Sequence, residues 1–266
     1  MGGLVFRRIV TAAAVFAALG VAASSAQTDL TPHRALYTMS LQTASRASDV
    51  ASLGGRMLVE IADACDGWTL EQRIALTIVN YEGDEIRSYT SFTSWESKDG
   101  QRFRFEQQTK QGGVTVDELS GAAELHGAEG GTATLTKPHE AEIALPPGTV
   151  FPNQHTEMLV AKAEAGEMFF SRVVFDGTSI DNPNLVSAFI GAPTTAPGLA
   201  GEDQAPEVWP VRLAFFHVDS QSPEPDVEIG ILLQKNGVAR GIELDYGSFV
   251  IEGRLDALEL LPPMGC

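Results

Sequence analysis

The sequence predicts an all-β protein in which many short strands form one antiparallel meander, closed or curled into a barrel. From about residue 33 the chain consists of short runs rich in Val, Ile, Thr, Phe and Tyr, residue types that are enriched in strands. Turn-forming pairs such as Asp99-Gly100 and Asn236-Gly237 separate these runs at short intervals. No helical segments alternate with the runs, which argues against a parallel sheet with crossover helices and favours the antiparallel arrangement.

The predicted strands fall into two series, one on each side of residues 145–167. Their limits are set by the Gly, Asp and Asn residues that end one run and begin the next. The first series covers residues 33–43, 55–64, 68–80, 84–96, 101–110, 113–118, 121–126, 131–136 and 140–144, and the second covers residues 168–176, 209–219, 226–235, 238–246 and 248–261.

Side-chain alternation is clear in some strands and absent in others. In residues 101–106, Phe103 and Phe105 project from one face of the strand and the neighbouring arginines from the other. In residues 228–234 the apolar side chains fall on both faces, so this strand needs cover on both sides. Two arrangements satisfy that need: an interior filled by side chains with a covering element outside, or an apolar lumen that accepts a ligand.

One helix of about 12 residues is predicted near residues 153–165, where the strand pattern stops. Pro152 suits a first helical turn, Met158 and Ala161 belong to an apolar set with helical spacing, and Gly166 is a natural C-terminal stop. The helix is expected to act as a lid or plug against one side of the barrel. A surface helix covering a sheet edge is the alternative.

Residues 191–207, GAPTTAPGLAGEDQAPE, are predicted to form a long exposed loop. The segment is rich in Pro, Ala, Gly and acidic residues. Strands of the same kind resume beyond it, so we interpret it as a loop within a domain and not as a linker between domains.

The N-terminal residues 1–26 have the pattern of a secretory signal peptide. Arg7 and Arg8 precede an apolar run, and small residues follow it at the spacing that a signal peptidase recognises, which predicts cleavage between Ala26 and Gln27. A retained membrane anchor is the alternative, but the apolar run is shorter than the roughly 20 residues that a spanning helix needs. We therefore expect an exported, periplasmic protein whose residues 27–266 form a single β-barrel-like domain.

The chain contains two cysteines, Cys65 and the C-terminal Cys266. Thiols oxidise readily in exported compartments, so an even pair is most simply one disulfide bond. A nucleophilic or redox-active cysteine is the alternative, but neither position carries a recognised nucleophile signature.

The charge of the chain restricts its partners. The formal net charge is −17, and it becomes −19 once residues 1–26 with their two arginines are removed. Nucleic acid and anionic lipid headgroups require a basic surface, so neither is expected to be the main partner, and no stable membrane insertion is expected after signal cleavage.

The sequence contains no recognised catalytic or metal-binding motif. The histidines lack the spacing of zinc ligands, and the chain has no nucleophile elbow, phosphate-binding loop or dinucleotide fingerprint. If the protein were a hydrolase, its acid–base chemistry would come from a pair of carboxylates, which the sequence does not single out, or from His155 with Glu157 on the predicted helix. We predict no catalytic residues, no metal site and no cofactor.

Four segments of the chain carry a family resemblance: CDGWTLEQR (65–73), LPPGTVFPNQHT (145–156), VFDGTS (174–179) and YGSFVIEGRLDALELLPPMGC (246–266). Together they resemble the EipB-like family of alphaproteobacterial periplasmic cell-envelope integrity proteins. The resemblance implies a spiral-like, incomplete antiparallel β-barrel of about fourteen strands with one short helix. It also implies a disulfide between Cys65 and Cys266 and a role in maintaining the Gram-negative envelope, and it assigns no catalytic residues.

The sequence thus leads to one main functional hypothesis and two alternatives. The main hypothesis is a non-enzymatic periplasmic protein that binds an envelope partner, a protein, lipoprotein or lipid, through its curled sheet or a cavity. The first alternative is a hydrolase that acts on envelope material. The second is a purely structural scaffold.

Overall fold

The computed structural model of the protein describes residues 30–180 and 183–262. The predicted signal peptide, its cleavage site between Ala26 and Gln27, and Cys266 lie outside the described residues. The α-helix of the described part is α1 (Pro152–Glu164). The strands are β1 (His33–Ala44), β2 (Val50–Asp63), β3 (Gly67–Asn80), β4 (Glu85–Ser97), β5 (Arg102–Gln111), β6 (Val114–Leu125), β7 (Gly131–Lys137), β8 (Ala141–Leu145), β9 (Phe169–Val174), β10 (Asn184–Ile190), β11 (Thr194–Thr195), β12 (Glu207–His217), β13 (Val227–Leu233), β14 (Ala239–Asp245) and β15 (Phe249–Leu260).

All strands except β11 form one antiparallel sheet. Its order from edge to edge is β8-β7-β6-β5-β4-β3-β2-β1-β15-β14-β13-β12-β10-β9, and the short β11 pairs with β12. β1 and β15 pair along their length, with His33 opposite Leu260 and Ala44 opposite Phe249. The first and last strands therefore lie in the middle of the sheet, and its two edges come from the middle of the chain.

The two edges approach each other just beyond β8. Val150 forms an isolated parallel bridge with Val174 of β9; the Val150 N–H donates to the Val173 carbonyl at 2.9 Å and the Phe175 N–H donates to the Val150 carbonyl at 3.1 Å. Among the described residues, this bridge joins the two edges of the sheet where a full ladder between β8 and β9 would close it. The sheet is curled and incompletely closed, which confirms the predicted all-β, spiral-like fold.

One face of the sheet carries the core and packs against α1; we call it the helix face and the other the second face. Leu159 and Val160 of α1 are buried in a cluster with residues of β9, β10, β12 and β13. A cluster of Phe, Leu and Ala side chains continues along β4 to β8, and another is centred on Tyr37 and Met39 of β1. Side chains thus fill the helix face. This is the arrangement with a filled interior, the first of the two considered for residues 228–234.

Four phenylalanine rings tie the helical connection to the sheet. The Phe103 and Phe151 ring centroids are 5.1 Å apart, and those of Phe105 and Phe175 are 5.6 Å apart. Phe151 directly precedes α1 and Phe175 directly follows β9. Both ends of the connection are therefore anchored on β5, and each ring pair adds about 1 kcal/mol beyond its buried area.

Gly177→Ala is expected to lower the free energy of unfolding by about 2 kcal/mol. Gly177 has a φ of +69°, and a Cβ atom there would lie 2.5 Å from Cγ of the buried Phe105 ring, so the substitution strains the backbone and displaces the ring. Gly83→Ala is the matched control, because φ is +92° and no atom lies within 4 Å of its Cβ position. Urea unfolding measures both variants, and equal losses would contradict a contribution from the Phe105 contact.

The predicted helix is confirmed to within one residue at each end. Pro152 occupies its first turn, and Gly166, just beyond the Ala165 cap, has the positive φ of +71° that favours glycine. The helix lies beside the edge strand β9, and its buried Leu159 and Val160 belong to a core cluster of the helix face, which agrees with a plug.

Parts of the strand prediction are wrong. The predicted break between residues 113–118 and 121–126 does not exist, since β6 runs through Gly121, where a Cβ atom would lie 2.4 Å from the Thr134 carbonyl oxygen. That glycine permits close approach of a neighbouring strand and does not mark a turn. β10 and β11 were not predicted, because the Asp, Pro and Asn residues before β10 suggest a loop.

Residues 191–207 are mostly exposed, as predicted, but they are anchored to the domain. β11 pairs with the start of β12, and Ala196 is buried with its N–H donating to the Pro206 carbonyl at 2.9 Å. Further along, the Glu202 carboxylate forms an ion pair with Arg240 of β14.

Candidate functional site

Cys65 lies in a tightly hydrogen-bonded turn between β2 and β3. Its N–H donates to Asp63 Oδ1 at 3.0 Å, and the Ala64 N–H donates to the Gly67 carbonyl at 2.9 Å. Lys98 pairs with Asp63 at 3.1 Å and places Nζ 3.5 Å from the centroid of the buried Trp68 ring. The turn is therefore held from several sides, as expected of a structural and not a catalytic position.

The strand register brings the C-terminal end of β15 near this turn. His33 of β1 pairs with Ile61 of β2 on one side and with Leu260 of β15 on the other. β2 and β15 both run antiparallel to β1, so they end at the same end of the sheet, with one strand between them. The arrangement is compatible with a bond between Cys65 and Cys266, which stays a prediction because Cys266 lies outside the described residues.

His155 and Glu157 do not form the acid–base pair considered for a hydrolase. His155 is buried, and its ring stacks on Phe170 with centroids 5.6 Å apart. Burial lowers the pKa of His155 to about 4, with a smaller contribution from the Arg172 charge, so the ring is neutral near pH 7. Neither residue lines the cavity described below.

A buried carboxylate that the sequence search missed lies beside the helix. Glu96 of β4 is only 2% exposed; its Oε2 accepts the Asn153 N–H at 2.8 Å and its Oε1 accepts the Gln154 N–H at 2.9 Å. It therefore caps the N-terminus of α1 from a strand distant in sequence. The signal for it is the alternation along β4, which puts Glu96 on the same face as the buried Phe92.

Burial raises the pKa of Glu96 to about 7, although the two backbone hydrogen bonds oppose the shift. Glu157 contributes a smaller shift in the raising direction. This carboxylate is buried and already hydrogen-bonded to the helix, so its arrangement fits a role in holding α1 against the sheet.

The second face carries an exposed aromatic pair at the β9 edge. Phe169 is 73% exposed and Phe189 is 44% exposed, and their ring centroids are 5.4 Å apart. The two residues are direct partners in the β9–β10 ladder. Large exposed aromatic side chains in contact with each other are typical of interaction surfaces.

A cavity of about 400 Å³ continues from this pair across the second face. The register places Phe189, Arg212, Gly230 and Glu243 in one row across β10, β12, β13 and β14. Gly230 has no side chain to fill its place in the row, which leaves the face open there. The lining combines apolar and charged residues, and it also includes Val211, Ile231 and Ile242 from strands that form the helix face.

Arg240 is the most buried charged residue of this cavity. Its side chain is 2% exposed and forms an ion pair with Glu202 of the 191–207 segment. Its Nε has no hydrogen-bond partner among the described residues. A buried guanidinium group with an unused donor is unusual, because such donors are normally paired.

Within residues 30–180 and 183–262, no group of three or more His, Cys, Asp or Glu residues is arranged to hold a metal ion. The helices of this part of the chain are too short or too polar to cross a membrane.

Comparisons with known proteins agree with this architecture. Residues 24–262 match the model of a family described as EipB-like. The chain is 33% identical over 249 residues to the cell envelope integrity protein EipB of Brucella abortus (strain 2308), covering 91% of this chain and 88% of the relative. A crystal structure of a beta-barrel-like protein of domain of unknown function DUF1849 from Brucella abortus superimposes with a TM-score of 0.81 at 32% identity, covering 88% of this chain and 99% of that one.

Proposed function

The chain belongs to the EipB-like family, and from this premise we propose that it is a non-enzymatic periplasmic protein that maintains cell-envelope integrity by binding an envelope partner. The relative's name supports the role in envelope integrity. The partner is a protein, a lipoprotein or a lipid, and the binding surface is the second face of the curled sheet.

The exposed pair Phe169–Phe189 is the observation that carries the binding proposal. The helix face is filled by its own side chains, whereas the second face combines exposed aromatic rings with a cavity. Exposed apolar surface of this kind costs free energy in water and is stabilised when a partner covers it.

The periplasmic location rests on the predicted signal peptide together with the envelope role of the relative. The hydrolase alternative loses the His155–Glu157 pair, because His155 is buried against Phe170.

Photo-crosslinking in living cells tests the binding proposal. With p-benzoylphenylalanine in place of Phe169, we expect ultraviolet light to capture a defined envelope component, which mass spectrometry then identifies as protein, lipoprotein or lipid. Tyr246 is the matched control position, because it is also an exposed aromatic residue but lies at the β14–β15 turn.

The proposal requires that Phe169 and Tyr246 differ in what they capture. Equal capture at Phe169 and Tyr246, or no capture at Phe169 and no lipid in native mass spectra of the protein purified from the periplasm, would contradict it.

A further inference from the structure

We propose that the cavity of the second face binds a fatty acyl carboxylate, with Arg240 holding the carboxylate group and Glu202 occupying that place when no ligand is bound. This deepens the proposed binding role and rests on it. It names the chemical class of one ligand and the residue that recognises it.

Arg240 has the properties of an anion-binding residue. Its guanidinium group is buried, and within the described chain its ion-pair partner is Glu202, which reaches it from a loop. Nε remains without an acceptor there. Because a guanidinium group presents several donors in one plane, it binds a carboxylate through two parallel hydrogen bonds when the geometry permits.

The lining contains more arginines than acidic residues. The cavity is lined by the three arginines Arg212, Arg240 and Arg254 but by only two acidic residues, Glu243 and Glu252. The whole chain has the opposite balance, with 35 acidic residues against 18 Lys and Arg. Glu202 and Asp256 lie outside the lining and pair with Arg240 and Arg254, so an anion gains a guanidinium group only where such a partner is displaced.

The other arginines of the lining already have partners within the sheet. Arg212 Nη1 lies 2.9 Å from Glu243 Oε1, an ion pair without hydrogen-bond geometry, and Arg254 Nη2 lies 3.0 Å from Asp256 Oδ1. These acidic partners are on sheet strands, whereas Glu202 belongs to the 191–207 segment. Arg240 is therefore the arginine whose partner a ligand can replace without disturbing the sheet.

The apolar part of the lining suits a hydrocarbon chain. Phe189, Pro197, Pro210 and Leu232 contribute apolar surface, and the missing side chain of Gly230 leaves space between them. The volume of about 400 Å³ lies within the usual range of ligand pockets. A ligand with a carboxylate at one end and an alkyl chain at the other satisfies both parts of the lining.

Glu202 imitates the carboxylate of such a ligand. Its Oε2 accepts the Leu199 N–H at 2.7 Å and also contacts Arg240 Nη2. Pro197 of the same segment lines the cavity, so the loop brings both a carboxylate and an apolar side chain to it. A ligand must displace Glu202 from Arg240, which makes the two competitors for one cation.

Calorimetric titration of the chain lacking residues 1–26 tests this. Laurate is the probe, acetate supplies the carboxylate without the chain, and dodecyl maltoside supplies the chain without the charge. We expect laurate to bind at least about tenfold more tightly than either, because only laurate uses both parts of the cavity.

Variants separate the roles of the two residues. Glu202→Gln is expected to tighten laurate binding by about tenfold, because the competing carboxylate is removed, and Arg240→Met to weaken it by about tenfold or more. Asp203→Asn is the matched control: it removes the same charge from the neighbouring exposed residue and is expected to leave binding unchanged. Thermal melts establish that each variant is folded.

Three results would overturn the inference: equal binding of laurate and dodecyl maltoside, unchanged laurate binding in Glu202→Gln, or equal changes in Glu202→Gln and Asp203→Asn. The Glu202→Gln measurement remains decisive if Arg240→Met fails to fold. A negative result here combined with specific capture at Phe169 would reject the fatty acyl ligand and leave the proposed function intact.

Discussion

Replacing Cys65 with Ser in the oxidised chain lacking residues 1–26 is expected to lower the free energy of unfolding by about 5 kcal/mol. A bond from Cys65 to Cys266 closes a loop that contains almost all the strands. Closing such a long loop lowers the conformational entropy of the unfolded chain. Removing the bond restores that entropy and therefore stabilises the unfolded state. The effect is comparable to the whole net stability of many domains.

The sheet order gives this bond a second consequence. β1 and β15 pair in the middle of the sheet, so this central ladder joins segments far apart in sequence. With the bond in place, the C-terminal end of β15 is tied to the turn after β2. Without it, β15 can fray from β1 at the His33–Leu260 end.

Urea unfolding of the wild type, with and without reductant, and of both single variants measures the effect. Cys65→Ser, Cys266→Ser and reduced wild type are expected to lose equal stability, and reductant is expected to change neither variant further. A thiol assay on the unfolded wild type is expected to find no free thiol. An unchanged urea midpoint in Cys65→Ser would contradict the disulfide.

Much of the fold follows from local patterns in the sequence. Strand limits are predictable where alternation and turn residues coincide, as at β5, and the helix is predictable because Pro152 and Gly166 mark its ends. β10 was not predicted, because turn-forming residues precede it and its apolar alternation is short. Pairing with β9 and β12, which the sequence does not show, stabilises it as a strand.

The sites are less predictable, because they depend on contacts between distant segments. Glu96 caps a helix that begins more than fifty residues later, and Arg240 meets Glu202 from a loop before β12. Alternation along β4 places Glu96 on the buried face, but charged residues are ordinarily exposed, so neither residue type by itself indicates its role. Their roles become apparent only once strand register and loop position are known.

The second large effect concerns the pH dependence of stability at the start of α1. The pKa of Glu96 is raised to about 7 by burial, so the folded protein binds this proton more tightly than the unfolded chain does. The contribution of Glu96 to stability therefore falls by about 3 kcal/mol as the pH rises from its ordinary pKa near 4.5 to about 7.

His155 has the opposite sign. Burial lowers its pKa from 6.5 to about 4, so the unfolded chain binds this proton more tightly. Its contribution to stability therefore rises by about 3 kcal/mol between about pH 4 and pH 6.5. The contributions of these two residues largely cancel in the wild type over the range that they share.

Single variants separate the two contributions to the change of unfolding free energy with pH. Relative to wild type, Glu96→Gln is expected to gain about 3 kcal/mol as the pH rises through this range, and His155→Gln to lose about the same amount. Urea unfolding at a series of pH values measures these differences, and comparison with wild type at each pH removes the contribution of the other carboxylates.

The double variant provides the decisive control. Glu96 and His155 lie at the same end of one helix, with Glu157 and Arg172 acting on them electrostatically, so their titrations can be coupled. If they are independent, Glu96→Gln combined with His155→Gln should restore a pH profile parallel to that of wild type. Flat difference profiles for both single variants would show instead that neither group is as strongly desolvated as its burial implies, and that α1 opens to water in solution.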